Sequence, residues 1–199
     1  MRFFACLLAA SLSLAALPAG AQDKARPSQD APPAARTMPR PSSLDELFDR
    51  LAKAQSETEA QGVAALIERR FSRSGSDTAD LLLSRATEAF KKKDYPLAIE
   101  LLDRVLVLQP AWAEAWYRRA TLFYQLDDPA GAMADLHRAL KLEPRHFSAW
   151  TGLGHILMAS EDKPGALEAF RRALKINPQT EALQTIVTRL DHEVGGQDL

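Results

Sequence analysis

Cysteine is almost missing from this chain of 199 residues, where Cys6 stands alone. A disulfide framework is excluded, and so is a Cys-rich zinc or iron–sulfur site. Neither sign of charge is in excess: 25 Lys and Arg face 26 Asp and Glu, for a net charge of −1. No surplus cation is left to neutralise a phosphate backbone, so nucleic acid is not an expected partner. A Gly-rich phosphate loop is also lacking, because Gly152 and Gly154 fall within a helical stretch. No Ser-His-Asp or Cys-His pairing is suggested by spacing. The histidines are His137, His146, His155 and His192. The equal spacing of the first three is about two and a half helical turns, so neighbours face opposite ways. They read as solvated or packing side chains, and no metal, no cofactor and no enzyme is expected. What is present is a hydrophobic fraction of 46% and a charged fraction of 26%, the balance of a soluble globular protein.

Met1-Arg2 leads into a charge-free, mostly apolar run from Phe3 to Leu17, then Pro18 and the small triplet Ala19-Gly20-Ala21. Residues 1–21 read as a secretory signal peptide cleaved after Ala21. The alternative, an uncleaved anchor, meets an apolar run shorter than the ~20 residues a spanning helix needs. Export is expected, to the periplasm of a two-membraned bacterium, with no membrane span after cleavage. Residues 22–42 carry five of the twelve prolines, Pro27, Pro32, Pro33, Pro39 and Pro41, and almost no large apolar side chain. Such a composition cannot bury enough surface to offset ordering entropy and reads as a disordered, extended linker. Its charges sum to +2, four basic against two acidic, while 43–199 sums to −4, 20 basic against 24 acidic.

Pro110, Pro144 and Pro178 are spaced by 34 and again by 34. The same period aligns Leu82, Trp116 and Trp150; Ala86, Ala120 and Gly154; Ala98, Ala132 and Ala166; and Leu102, Leu136 and Phe170. Between these anchors apolar residues recur at helical spacing, as in Ala98, Leu101, Leu102, Val105 and Leu108, so each unit is two amphipathic helices. Asp94-Tyr95-Pro96, Asp127-Asp128-Pro129 and Asp162-Lys163-Pro164 put an acid ahead of a proline in the first turn of the second helix. The prolines at 110, 144 and 178 stop that helix. Small residues at Ala86, Ala120 and Gly154, opposite Ala98, Ala132 and Ala166, are expected where the two helices approach closely, with Trp116 and Trp150 filling the wedge between hairpins.

With Trp150, Leu153, Gly154, Ala166, Phe170, Ala173 and Pro178, the last unit resembles a tetratricopeptide repeat, Leu157 standing where an aromatic is usual. The unit before it keeps Trp116, Ala120, Phe123, Ala132, Ala139 and Pro144 but has Arg119 where leucine is common, and the first is looser. The resemblance implies an all-α, right-handed superhelical solenoid of antiparallel helix pairs, with repeats at 79–112, 113–146 and 147–180. Residues 181–199 read as a capping helix and tail. Residues 43–78, opened by the capping box Ser43-Leu44-Asp45-Glu46, read as a degenerate hairpin covering the N-terminal end.

In the resembling family the concave face, lined by the first helix of each unit, binds a peptide or helix of a partner. Here that face is expected to present Phe90, Tyr117, Arg118, Thr121, Tyr124, Thr151, His155 and Met158, together with Glu114 and Ser148. Two roles are open to the tyrosines, partner anchors or packing against adjacent helices. Two are open to Arg118, a surface pair with Glu114 one turn earlier or a receptor for a partner's carboxylate. The function read from this is a protein–protein adaptor or scaffold of the cell envelope, monomeric, with a protein partner. The alternative is a self-associating structural subunit of an envelope assembly.

Overall fold

In the computed structural model residues 43–195 are described, and most of its helices start where a side chain takes up a free backbone N–H. The signal and linker readings lie outside the described residues. Helix α1 (Leu44–Ala52) opens on the expected capping box: the Glu46 N–H donates to Ser43 Oγ at 3.1 Å, and the Ser43 N–H donates to Glu46 Oε2 at 2.9 Å. Ser56 and Ser76 cap α2 (Glu57–Phe71) and α3 (Asp77–Lys91). Asp94, Asp128 and Asp162 cap α4 (Tyr95–Leu108), α6 (Pro129–Leu142) and α8 (Lys163–Ile176), each with proline in the first turn. His146 caps α7 (Phe147–Ala159), whereas α5 (Ala113–Gln125) has no side-chain cap. The last helix is α9 (Glu181–Gly195), and no strand occurs among the described residues.

Inside each hairpin the turn repeats with the same period. Lys93, Asp127 and Glu161 hold φ of 62°, 61° and 60°, the left-handed conformation that glycine usually supplies. Asp94, Asp128 and Asp162 each donate their N–H back five residues, to the carbonyls of Ala89, Phe123 and Leu157 at 2.9 Å. This closes the end of the first helix and delivers the aspartate that caps the second.

Helix α3 packs on α4, α5 on α6 and α7 on α8, and successive pairs join through α4–α5 and α6–α7. The small residues sit at these crossings with almost no exposure: Ala86, Ala98, Ala120, Ala132 and Ala166 are all at or below 2%. Gly154 differs in its neighbour. A Cβ there would lie 2.5 Å from the ring of the fully buried Phe170, so this ring, and not Ala166, is what the glycine admits. Trp116 Nε1 donates to the Pro110 carbonyl at 2.9 Å and Trp150 Nε1 to that of Pro144 at 2.8 Å, pinning each repeat to the turn before it. Arg119 explains its own departure from leucine. It forks onto Asp135 of α6 at 2.7 and 2.9 Å and reaches Asp103 of α4 at 2.7 Å, stacked over Trp116 and Phe123. Helix α9 covers α8 with Leu183 and Leu190 buried.

The α1–α2 hairpin is where the expectation of a stacked N-terminal cap gives way. Its apolar face, with Leu47, Phe48, Leu51, Val63, Ile67 and Phe71, packs against Phe147 and Ile176 of the third repeat and not along α3 and α4. It therefore lies across the turns between repeats. Trp112 Nε1 donates to the Phe71 carbonyl at 2.7 Å, Arg145 Nη1 to Asp45 at 2.7 Å, and Gln179 Nε2 to the Ala54 carbonyl at 3.0 Å. The cause is in the sequence: Glu68 and Ser76 stand where Leu102 and Pro110 would be needed to stack in register, and Phe48 and Phe71 find aromatic and cationic partners on the turns instead.

Candidate functional site

Helices α5 and α7, the end of α8 and the start of α9 enclose an open groove of about 650 Å³. Tyr117, Thr121 and Tyr124 reach it from α5, one turn apart, and Ser148, Thr151 and His155 from α7. Five of the expected residues, Tyr117, Thr121, Tyr124, Thr151 and His155, thus share one surface. Its floor is Ala120, Leu136, Ile156 and Ala173. The threonine hydroxyls are spent on their own helix: Thr121 donates to the Tyr117 carbonyl and Thr151 to that of Phe147, both at 3.0 Å. They offer the groove methyl groups and acceptor lone pairs. His155 is exposed, its ring edge-on to Phe170 at 5.1 Å.

The remaining expected residues divide. Phe90 and Arg118 line a smaller notch beside the groove, between α3 and α5, with Leu83, Thr87 and Leu122. Met158 turns away into the core formed with α8 and α9. Glu114, placed by the sequence on the concave surface, is only 3% exposed. Its Oε1 accepts from Arg118 Nε at 2.6 Å and its Oε2 faces His146 Nε2 at 3.1 Å. Because the Ala149 N–H donates to His146 Nδ1 at 3.3 Å, that nitrogen is bare and the proton sits on Nε2, directed at the carboxylate. Burial works to raise the Glu114 carboxyl, but the His146 hydrogen bond and the Arg118 charge outweigh it and hold the group below its ordinary range. The imidazole is stacked against Phe71 and tilted against Tyr117, each at 4.7 Å. His146 is a packing residue that joins the hairpin to the groove wall.

Asn177 and Thr180 of the α8–α9 turn and Leu183 of α9 complete the groove, and none was singled out by sequence as lining it. In the repeat register Asn177 stands with Gln109 and Glu143, the residue before each repeat proline, and neither of those lines the groove, so the period carried no signal for it.

Two family models, both described as tetratricopeptide repeat, match residues 88–146 and 123–190 and together span 88–190, more than half of the chain. The chain belongs to the tetratricopeptide-repeat family. A TPR repeat-containing protein of Rhizobium etli is 39% identical over 79 residues, 40% of this chain and 39% of that protein, so this chain spans about two fifths of that relative's length. Among solved structures, the first tetratricopeptide domain of Spaghetti (RPAP3), bound to an HSP90 peptide, matches with a TM-score of 0.57 at 20% identity over 60% of this chain and 95% of that one. The Sgt2 domain of Aspergillus fumigatus gives 0.56 at 23% identity over 62% and 83%. At these identities the likeness is one of fold. The helix pairs are those of a tetratricopeptide solenoid, with the α1–α2 hairpin laid across its turns.

Proposed function

We propose that the protein is a non-enzymatic adaptor of the cell envelope, exported by its first 21 residues, that binds an extended peptide or a helix of a partner protein in the groove between α5, α7 and α9. The observation that carries this is the convergence of Tyr117, Tyr124, Thr121, Thr151 and His155 on one open surface, where large amphipathic side chains serve as anchors at low entropic cost. The peptide bound by the similar domain of Spaghetti supports the reading by analogy of fold. Tyr124 and His155 are both exposed, so the double variant Tyr124→Ala, His155→Ala should fold normally and lose the partners that the native protein captures from an envelope extract. Retention of every partner would remove the groove from consideration. For the export half of the reading, intact mass of the protein isolated from its host should correspond to a chain starting at Gln22, recovered with periplasmic contents.

A second reading, self-association, is favoured by one feature. Leu81, Leu97, Val107 and Leu108 of the first repeat are exposed, at 52%, 43%, 82% and 49%, and the hairpin leaves the outer side of α3 and α4 uncovered. A monomer by light scattering at assay concentration would dismiss it.

A further inference from the structure

The first repeat shows solvent a face that the later repeats bury. Ala115 and Ala149 stand one and two periods after Leu81, and both are 0% exposed. Leu122 and Ile156 stand likewise after Glu88 and are buried too. Each is covered by the repeat before its own: Ala115 and Leu122 lie in the core built with Leu101 and Leu102, Ala149 and Ile156 in the one built with Ala120 and Leu136. The first repeat has no such neighbour, because the α1–α2 hairpin packs on Phe147 and Ile176 instead. The same face is therefore open, with Leu81 52% exposed and Arg85 and Glu88 exposed beside it. It continues onto α4, where Leu97, Arg104 and Leu108 form one exposed stripe at helical spacing. Arg138 and Arg172, the counterparts of Arg104, lie over Trp116 and Trp150 at 5.8 and 4.7 Å, the tryptophans that reach back to the preceding turn.

A solenoid end needs a polar surface or a cap to remain soluble. The other end has one: α9 covers α8 with Leu183 and Leu190 and turns Gln184, Thr188, Arg189 and Asp191 to solvent. Growth from head to tail is thereby blocked, which leaves like end against like end. The charges of α3 suit that pairing. Arg85 and Glu88 lie one helical turn apart, and neither makes an ion pair among the described residues. When two α3 helices cross antiparallel about a two-fold axis, Arg85 of each copy faces Glu88 of the other, with Leu81 one turn outside each pair. We infer that two copies of this chain join through the open face of α3 and α4 into a closed, two-fold dimer. The inference rests on the self-association reading and adds to it the face, the symmetry and the end of growth at two. No residue lining the groove between α5 and α7 lies on this face. The dimer thus presents two grooves, and a partner carrying two matching segments gains by avidity.

The test uses the protein in the form isolated from its host, followed by sedimentation equilibrium from about 1 to 200 µM, where an interface of modest size dissociates. The native protein should pass from monomer to dimer and no further. Arg85→Glu alone sets like charge against like at both pairs, and so does Glu88→Arg. Each should weaken the dimer at least about tenfold while the melting temperature of the monomer stays level. Mixing these two variants in equal amounts should restore association to within about threefold of native, because each supplies the charge the other lost. Leu81→Lys should weaken it as well. Failure of the mixture to associate, or single variants that dimerise as the native protein does, would overturn this face while self-association itself stood. Mass that climbs past the dimer with concentration would overturn the two-fold closure. A protein monomeric at every concentration would remove the self-association reading together with this inference. In that monomer, a melting temperature lowered by Leu81→Lys would show that another segment of the same chain covers the face.

Discussion

Two glycines in one helix should respond in opposite directions to the same substitution. Gly152 and Gly154 lie two residues apart in α7, so replacing either by alanine gains about 1 kcal/mol from helix propensity. At Gly152 the new Cβ would lie 3.7 Å from Leu136, an ordinary contact, and the propensity gain should appear in full. At Gly154 it would lie 2.5, 2.6 and 2.8 Å from three atoms of the Phe170 ring. That ring is 0% exposed and has nowhere to withdraw. Overpacking of this kind costs about 1–3 kcal/mol, which cancels or outweighs the gain. The other repeats solve the same crossing with Ala86 against Leu102 and Ala120 against Leu136. Phe170→Leu alone should leave a cavity worth about 1–2 kcal/mol. Gly154→Ala combined with Phe170→Leu recreates the alanine–leucine pair and should be more stable than the sum of the single changes by about 1–3 kcal/mol. Urea denaturation of the four proteins measures this directly. Additivity within error would show that Phe170 is not what the glycine accommodates, and destabilisation by Gly152→Ala would refute the use of propensity at this site.

Four further outcomes are expected. Arg119→Leu restores the residue usual in the family, yet it strands the buried Asp135 and should cost about 2–4 kcal/mol; adding Asp135→Leu should recover most of this in the same denaturation assay. Glu161→Gly relieves a left-handed backbone and should stabilise by about 0.5–1 kcal/mol after the entropy of the unfolded glycine is subtracted, seen as a raised melting temperature. The Glu114 carboxyl titrates in the folded state below its unfolded value of 4.5, so its contribution is complete above that pH and drains away as pH falls through the folded value; Glu114→Gln should flatten the acid limb of a stability–pH curve. Phe71→Ala removes the ring stacked on His146 and should cost about 3–5 kcal/mol, with exposure of His146 reported by its proton chemical shifts.

The repeats were legible because their causes are local and periodic. Asp94, Asp128 and Asp162 cap the helices the sequence assigned them, those helices end just before the three prolines, and Ala86, Ala98, Ala120, Ala132 and Ala166 are buried. What could not be read depended on meetings between distant residues. Glu114 has the spacing of a surface partner for Arg118, and only the approach of His146, 32 residues on, makes it a buried group. Met158 sits on the expected helix but at an angle that α9 claims for the core. Asn177 looks like a helix terminator and lines the groove because α9 leaves the turn on that side. The hairpin carried the clearest signal of the departures: Glu68 in the place of a buried leucine meant that α2 could not stack as a repeat does, although where it would go instead was not written in the period.

That placement alters how the groove is held. In a simple solenoid each repeat touches only its neighbours, and the curvature is the sum of small independent rotations. Here the bonds of Asp45 to Arg145 and of Ala54 to Gln179 span 100 and 125 residues, and Phe71 reaches both Trp112 and His146. One hairpin is tied to the turns on either side of the second repeat and to the turn before α9. A change in the angle between repeats would have to break these contacts, so the width of the groove between α5 and α7 is fixed by an element outside the repeats. The same element touches the groove itself, through Phe147 in its core and through Ser148 bonded to Glu68 at 3.3 Å. A ligand that needed α5 and α7 further apart would pay for loosening the hairpin, whereas one fitting the present width would bind a surface already ordered. The groove between α5 and α7 is therefore preorganised, its width set before any ligand arrives rather than by rearrangement of the repeats.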